Sequence, residues 1–344
     1  MAKLIRFEGK KVLLLPRSRL DFVPCSKIEN VTIVAPNILL GTEGVFYLTD
    51  SHMESEIERF GIKSCDIGKY VTHTGAKVTK LSEAVYLGSA LDFIYYESVV
   101  YTLAKYQAYL KCTINNSPKH IILNERMSKN TRDWLIEAIG KEFPGCQVIL
   151  ISKEIVVEVE MLHVFTLNDK LINSNLENFS TFIQNFVHRS GNEAHSGSRI
   201  LLTRKKQVIF NLKWRKPRNA RIFEWYARSK GYEVFDPGGM NFQEVLERMA
   251  GASKVVSYHT GALTNLLACK PGTQVSEIYS EWYADCFEQI SASCNLDYKS
   301  YFYEMKKRPD LIRTFYYLFF KLKKSAYIKH FRIKYRDFNT ILRN

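Results

Sequence analysis

The densest chemistry in this chain lies in His259-Thr-Gly-Ala-Leu-Thr-Asn265. It follows Lys254-Val-Val-Ser-Tyr258, a stretch short and apolar enough to be a strand inside a parallel sheet, and it runs into Leu266 and Leu267. A turn of small residues between a buried strand and an apolar helix presents backbone N–H groups at the carboxyl edge of the sheet. Those donors, with the positive end of the helix dipole, suit an anion such as a diphosphate. His259 adds an imidazole beside them, the side-chain type best fitted to moving protons near neutral pH. Upstream, Arg204 and Lys205 fall at the carboxyl end of a strand expected over 199–203, and Arg215 and Arg218 open the next helix. Guanidinium forks match phosphate geometry, so these four cations could surround one pyrophosphate. Each alone also fits a solvated strand end or helix start; their convergence on the His259 turn gives the set its meaning.

The elements that must position these residues are legible as alternation. Residues 1–90 show short β-rich pieces at 11–15, 31–35 and 45–48, separated by Gly, Asn and Pro. A βα series follows, with strands over 85–89, 120–123 and 147–151 and helices over 97–111 and 128–139. A second series begins near 162, with helices over 176–188, 218–230, 241–250 and 261–269 and strands over 199–203, 232–235, 254–257 and 274–278. Asn241-Phe-Gln-Glu244 has the form of a capping box at the head of the third of these helices. Two such series predict an α/β protein of two Rossmann-like, doubly wound domains facing a cleft. The expected boundaries are 1–160, 161–304 and a tail over 305–344.

Composition narrows the class. With 344 residues and 46% hydrophobic content the chain has ample core for two domains, which excludes a disordered tail, a collagen or a disulfide miniprotein. Its seven cysteines are odd in number and scattered, with no C-x-x-C pair, so neither a disulfide framework nor a zinc site is signalled. The apolar run before Pro16 is too short for a signal peptide core, and no run reaches transmembrane length. A cytoplasmic protein is expected. The net charge of +14 is concentrated: residues 305–344 hold twelve basic side chains against Asp310 and Asp337, leaving only +4 for the rest. Within the tail, Leu311, Phe315, Leu318, Leu322 and Ala326 recur at helical spacing among Arg313, Lys321, Lys323, Lys324 and Lys329, and near 331–336 the apolar residues alternate instead. A basic amphipathic helix with aromatic anchors is expected to lie on an anionic membrane surface.

The order of motifs resembles glycosyltransferase family 61. The series comprises Arg-Lys after a strand, Arg-x-x-x-Asn at 215–219, Gly231-Tyr-Glu-Val-Phe-Asp-Pro237, Asn241-Phe, Ala252-Ser-Lys-Val-Val-Ser-Tyr-His259, Thr264-Asn265 and the stretch 272–277. The family has H-G-A-G-L-T-N at the turn, where this chain has Thr260-Gly261-Ala262 between His259 and Leu263. Val245 stands where the family usually has Gln, and Asp92-Phe-Ile-Tyr-Tyr96 stands in place of N-Y-x-H-W, with Tyr95 at the His position. The resemblance implies a GT-B fold with an N-terminal acceptor domain, a C-terminal nucleotide-sugar domain and inverting, metal-independent transfer. It directs His259, Thr264 and Asn265 to the donor diphosphate, Arg204 to the leaving group, Asp236 to the base and Glu277 to the ribose; Thr260 and Gly261, in the turn between them, are donor-binding candidates as part of that turn. UDP is the nucleotide expected, with no cofactor. Inverting transfer also needs a general base near the acceptor hydroxyl; Asp92 and Glu97 are the first candidates, with Asp50, His52 and His73 behind them.

Three function classes therefore compete. The first is a glycosyltransferase building a surface polysaccharide or lipid-linked glycan, such as a capsule or lipopolysaccharide. It would be peripheral on the inner face of a bacterial membrane and held there by 305–344. The second is an inactive homologue that binds a glycan, kept open by Thr260 and Tyr95. The third is a nucleic-acid-binding protein using the basic, aromatic tail, which leaves the 198–277 series unexplained, so nucleic acid is not the expected partner.

Overall fold

A computed structural model describes residues 3–7, 10–14, 25–34, 38–40, 46–48, 77–88, 92, 95–111, 118–152, 155–165, 169–189, 197–203, 216–280, 284–309 and 327–343. The chain divides into two compact units, Met1–Phe179 and Ser180–Asn344. The expected boundary near 160 lies ahead of this division, which falls within the helix Asp169–Arg189.

The first unit is built on a mixed sheet. Its strands are β1 (Lys3–Phe7), β2 (Lys10–Leu14), β3 (Cys25–Val34), β4 (Ile38–Leu40), β5 (Phe46–Leu48), β6 (Lys77–Tyr86), β7 (His120–Asn124), β8 (Gln147–Ile151) and β9 (Ile155–Phe165). They lie in the order β1-β2-β5-β4-β3-β9-β6-β7-β8. The run β9-β6-β7-β8 is parallel throughout and β2 pairs with β5 in parallel, whereas β3 joins β9 antiparallel over Cys25↔Phe165 to Ile33↔Val157. The doubly wound expectation thus describes one end of this sheet. The long strand β9 is absent from the sequence expectation, although Val157 and Val159 are buried and Glu160 is exposed, the period-2 signature of a strand. Ile28, Val31, Ile33, Val157, Val159, Leu162 and Val164 make the core beneath it.

The expected helix over 97–111 arrives in pieces: a short helical turn Tyr95–Glu97, a π segment Ser98–Thr102 and α1 (Leu103–Lys111). Helices α2 (Lys129–Glu142) and α3 (Asp169–Arg189) complete this half of the chain, α3 running on into the second unit.

The second unit holds a five-stranded, all-parallel sheet of β10 (Ser198–Leu202), β11 (Glu233–Phe235), β12 (Ala252–Tyr258), β13 (Gln274–Tyr279) and β14 (Asp297–Phe302), ordered β11-β10-β12-β13-β14. Helices α4 (Ala220–Ser229), α5 (Phe242–Ala250) and α6 (Cys286–Ser293) provide crossovers. α4 ends in a Schellman motif: Tyr232 N donates to Ala227 O at 3.0 Å and Gly231 N to Arg228 O at 2.9 Å. Gly231 has φ +78°, and a Cβ there would meet the Arg199 guanidinium at 3.0 Å, so glycine is required. At α5 the Asn241 side chain caps the helix by accepting from Gln243 N at 2.8 Å, whereas Glu244, expected to reach back in a capping box, accepts from Arg248 at 2.7 Å.

The C-terminal end supplies β15 (Lys306–Pro309) and β16 (Tyr327–His330), an antiparallel pair, and α7 (Phe338–Arg343). The amphipathic stretch 311–326 lies outside the described residues. Residues 331–343, which the charge count groups with the tail, contribute Phe331, Ile333, Phe338, Ile341 and Leu342 to the core, against Leu201, Phe223, Val256 and Tyr258. The alternation near 331–336 is the signature of that docking: Phe331 and Ile333 are buried while Arg332 and Lys334 are exposed. Polar contacts reinforce it, because Arg218 N donates to Phe331 O at 3.0 Å and Asn219 grips the Ile333 backbone on both sides, at 2.8 and 3.1 Å.

One side chain works against this fold. Lys254, at the amino end of β12, is 4% exposed and its Nζ has no hydrogen-bond partner among the described residues. Burial, helped by the nearby cations Lys299 and Arg199 and opposed by Asp297, pushes its amine down to about 8 from 10.5. Below pH 8 the folded chain holds a charged amine it would rather shed. Between about pH 8 and 10.5 the unfolded chain keeps a proton that the folded one has released, so stability rises with pH across that window. Lys254→Met is therefore expected to raise the thermal midpoint at pH 7, with the advantage fading by pH 10; scanning calorimetry at the two pH values checks both halves.

Candidate functional site

The carboxyl ends of the parallel strands in the second unit gather the polar groups. β12 is buried along most of its length and delivers the chain to His259, whose N–H still pairs with Ile278 O at 2.9 Å. Beyond it lies Gly261–Ala268, expected as an α-helix and found as a 3₁₀ segment. Its own side chains explain the tighter winding: Thr264 Oγ1 donates to Gly261 O at 2.7 Å and Asn265 Nδ2 to Ala262 O at 2.8 Å. Such bonds to the preceding carbonyls compete with the α pattern. Leu263, Leu266, Leu267 and Ala268 are all fully buried, which fixes the segment against the sheet.

His259 is buried and its ring is held. Nδ1 pairs with Glu277 Oε1 in a very short contact, and the second carboxylate oxygen accepts from Tyr298 OH at 2.5 Å. Phe287 of α6 packs edge-on against the imidazole, centroids 5.3 Å apart. Parallel register aligns the three polar residues: Ser257 lies opposite Glu277 and Val275 opposite Tyr298, so His259, Glu277 and Tyr298 share one face. A carboxylate that accepts from Nδ1 fixes the tautomer, and any contact His259 makes with a ligand is then through Nε2. The Glu277–His259 arrangement has the geometry of an oriented proton-transfer or phosphate-binding imidazole.

The opposite face of the same strands holds a second polar group. Thr203, immediately after β10, donates from Oγ1 to Glu224 Oε1 at 2.5 Å; Lys216 Nζ lies 2.7 Å from that oxygen and 3.0 Å from Thr203 Oγ1. Lys216 also stands 6.0 Å from the ring centre of Tyr258. Burial, and then the Glu224 carboxylate, push the Tyr258 phenol well above its ordinary range, so it stays protonated.

The expected site residues divide as follows. His259, Thr260, Gly261, Thr264, Asn265 and Glu277 are brought together. Thr264 and Asn265 are fully buried and bond to their own turn, so they shape it from within. Glu277, directed to the ribose by the resemblance, is 0% exposed and has both oxygens on protein partners. Asp236 lies at the end of β11, where Oδ1 accepts from Gly238 N at 3.0 Å and caps the turn Pro237–Gly239. Arg218 has an exposed side chain, its backbone N–H being the group bonded to Phe331. Arg204, Lys205, Arg215, Asp50, His52 and His73 lie outside the described residues, as does the side chain of Glu97. Asp92, in the first unit, is fully buried and its Oδ1 accepts from Thr102 Oγ1 at 2.9 Å, while the neighbouring Lys105 Nζ donates to Gly88 O at 2.7 Å. In this conformation Asp92 thereby holds the turn into the helix.

Thr203, Lys216, Glu224 and Tyr298 were not foreseen. Lys216 follows Arg215 in the Arg-x-x-x-Asn element, but Glu224 reads as a helix-surface carboxylate and Tyr298 belongs to a strand with weak apolar pattern. Among the described residues no three His, Cys, Asp or Glu side chains are grouped as a metal site.

The sequence model of the family described as Glycosyltransferase 61 matches residues 73–276, more than half of the chain. The match covers β6 to β13 as far as Ser276, so Glu277, Tyr298 and residues 331–343 lie beyond it. No curated protein matches the chain.

Removing the Tyr298 hydroxyl takes a donor from a carboxylate that has no access to water. Tyr298→Phe is expected to destabilise the protein by about 1–3 kcal/mol, the usual effect of leaving a buried acceptor short of a partner. Urea unfolding measures it, and an unchanged midpoint would show that Tyr298 is not what satisfies Glu277.

Proposed function

Because the chain belongs to glycosyltransferase family 61, we propose that it is an inverting transferase of GT-B type, moving a hexosyl or pentosyl group from a nucleoside-diphosphate sugar, with UDP the expected nucleotide, to a growing glycan or lipid-linked acceptor. The observation that carries the donor assignment is the His259–Glu277 pair at the carboxyl edge of β12. Ligands of open parallel sheets bind at that edge. The leaving nucleoside diphosphate gains negative charge as the glycosidic bond breaks, and groups fixed beforehand at that position lower the barrier most.

In this reading a protonated His259 donates from Nε2 to the diphosphate, and Glu277 balances the charge of the ring. Because Glu277 touches His259 and no substrate, it is a positioning residue, and Tyr298 positions it in turn. Thr264 and Asn265 keep the turn in its 3₁₀ form so that the N–H groups of its first residues stand at the same edge. Charge stabilisation by side chains and backbone makes a bound divalent ion unnecessary for departure of the nucleotide. Arg204, Lys205 and Arg215 belong to the same proposal through the family resemblance.

Calorimetry with a panel of nucleoside diphosphates, with and without magnesium, tests the donor site. One of them is expected to bind in both conditions, and His259→Ala to lower kcat/KM by about 100-fold. Absence of any nucleotide heat would defeat the transferase reading in favour of a glycan-binding homologue.

We also propose attachment to the inner face of an anionic bacterial membrane through the basic residues of 305–330, consistent with synthesis of a capsule or lipopolysaccharide. No helix among the described residues is long and apolar enough to cross a membrane, so contact of this kind would be made from the surface. Since Phe331, Ile333, Phe338, Ile341 and Leu342 are core, deletion of the whole tail would damage the fold and test nothing. Lys321, Lys323 and Lys324 changed together to Glu are expected to abolish co-sedimentation with phosphatidylglycerol vesicles while nucleotide binding is retained; undiminished co-sedimentation would remove the membrane role.

A further inference from the structure

In the sheet of the second unit the chain leaves β10 for β11 on one side and returns as β12 on the other. The crossovers on either side of the β10/β12 gap diverge, which opens a crevice at the carboxyl ends of those two strands. His259 stands on one face of β12 at this gap. Thr203, Lys216, Glu224 and Tyr258 stand on the other.

The second group invites a purely structural explanation, in which the Lys216–Glu224 pair ties the turn before α4 to the sheet. That turn is already tied. Arg218 N–H bonds Phe331 O, and Asn219 bonds both the N–H and the C=O of Ile333. A further anchor made of two charges is an expensive choice there, since the side chains of Lys216 and Glu224 are only 17% and 11% exposed and removing ions from water is costly. A threonine and a carboxylate that both hold one ammonium, at a crevice suited to anions, describe a donor fixed in advance of its ligand. Lysine has a long flexible stem, and holding it beforehand avoids the loss of its rotamer freedom on binding.

We propose that Lys216 is a donor-binding residue, its ammonium contacting a phosphate oxygen of the nucleoside diphosphate at the β10/β12 crevice, with Thr203 and Glu224 as its positioning residues. This rests on the donor reading above and adds a second wall to the site, across β12 from His259. Because Glu224 neutralises Lys216, the pair attracts anions weakly from a distance. Its contribution is direction, a charge-assisted N–H···O bond at close range, while long-range attraction falls to other cations of the chain.

The test separates a phosphate contact from a structural one. A calorimetric screen of UDP, GDP, CDP and ADP identifies the nucleoside diphosphate that binds the full chain, and its parent nucleoside is then measured. Lys216→Met is expected to weaken the diphosphate about 10-fold and to leave the nucleoside unchanged. Equal weakening of both, or no change in either, overturns the inference. Amine footprinting of the unmutated protein guards against a variant that fails to fold: reductive methylation of Lys216, read by mass spectrometry, should slow several-fold with the diphosphate and not with the nucleoside. Unaltered labelling by a diphosphate that does bind overturns it too. If the unmutated protein binds no nucleoside diphosphate, the donor reading itself has failed, an outcome distinct from the other three.

Discussion

A carboxylate withdrawn from water is tolerable only where its charge is answered by close partners, and in the second unit Glu277, 0% exposed, is held to that condition. His259 and Tyr298 answer it, each from a neighbouring strand. The requirement reaches outward from there. It demands that β12, β13 and β14 keep one parallel register, because a shift of one residue would turn Glu277 to the other face and leave the imidazole without its acceptor. It demands that the chain after His259 stay close to the sheet, which the buried leucines of the 3₁₀ segment secure. The register of these strands and the geometry of the candidate site therefore share one interaction.

The alternation of elements from β10 to β13 was legible in the sequence because the strands are short apolar runs and α5 carries a side-chain cap. Val255 and Val256 are fully buried, and the Asn241 cap forms as expected. What periodicity could not settle was the winding after Gly261. The residues that tighten it, Thr264 and Asn265, are those the family pattern assigns to the donor, and their hydrogen bonds are local and invisible to an apolar count. The first unit was read less well. Its β3–β9 pairing joins residues more than a hundred positions apart, and no local pattern announces a partner at that distance.

The candidate site shows the same division. His259 could be found because small residues, an apolar strand and an apolar helix surround it in sequence. Lys216 and Glu224 sit eight positions apart on a loop and a helix, at no spacing that marks a pair, and only the passage of β10 beside them brings Thr203 into the same contact. Charge was similarly ambiguous. Counting placed most of the basicity at one end, yet within that end Phe331, Ile333 and Phe338 belong to the core while Arg332 and Lys334 remain outside. A sum of charges does not register the alternation that separates docked chain from solvated chain.

That docking has a consequence for synthesis. Chains emerge from the ribosome in order, and domains fold as units once their sequence is available. Every strand of the second unit's parallel sheet has been made by Phe302, but the face of that sheet lined by Leu201, Val256 and Tyr258 is completed by side chains up to Leu342. Until residues 331–342 emerge, α4 alone of the two helices in that core cluster is in place and Asn219 lacks the backbone it grips. The nascent unit therefore passes through an interval in which its sheet is fully threaded yet incompletely covered.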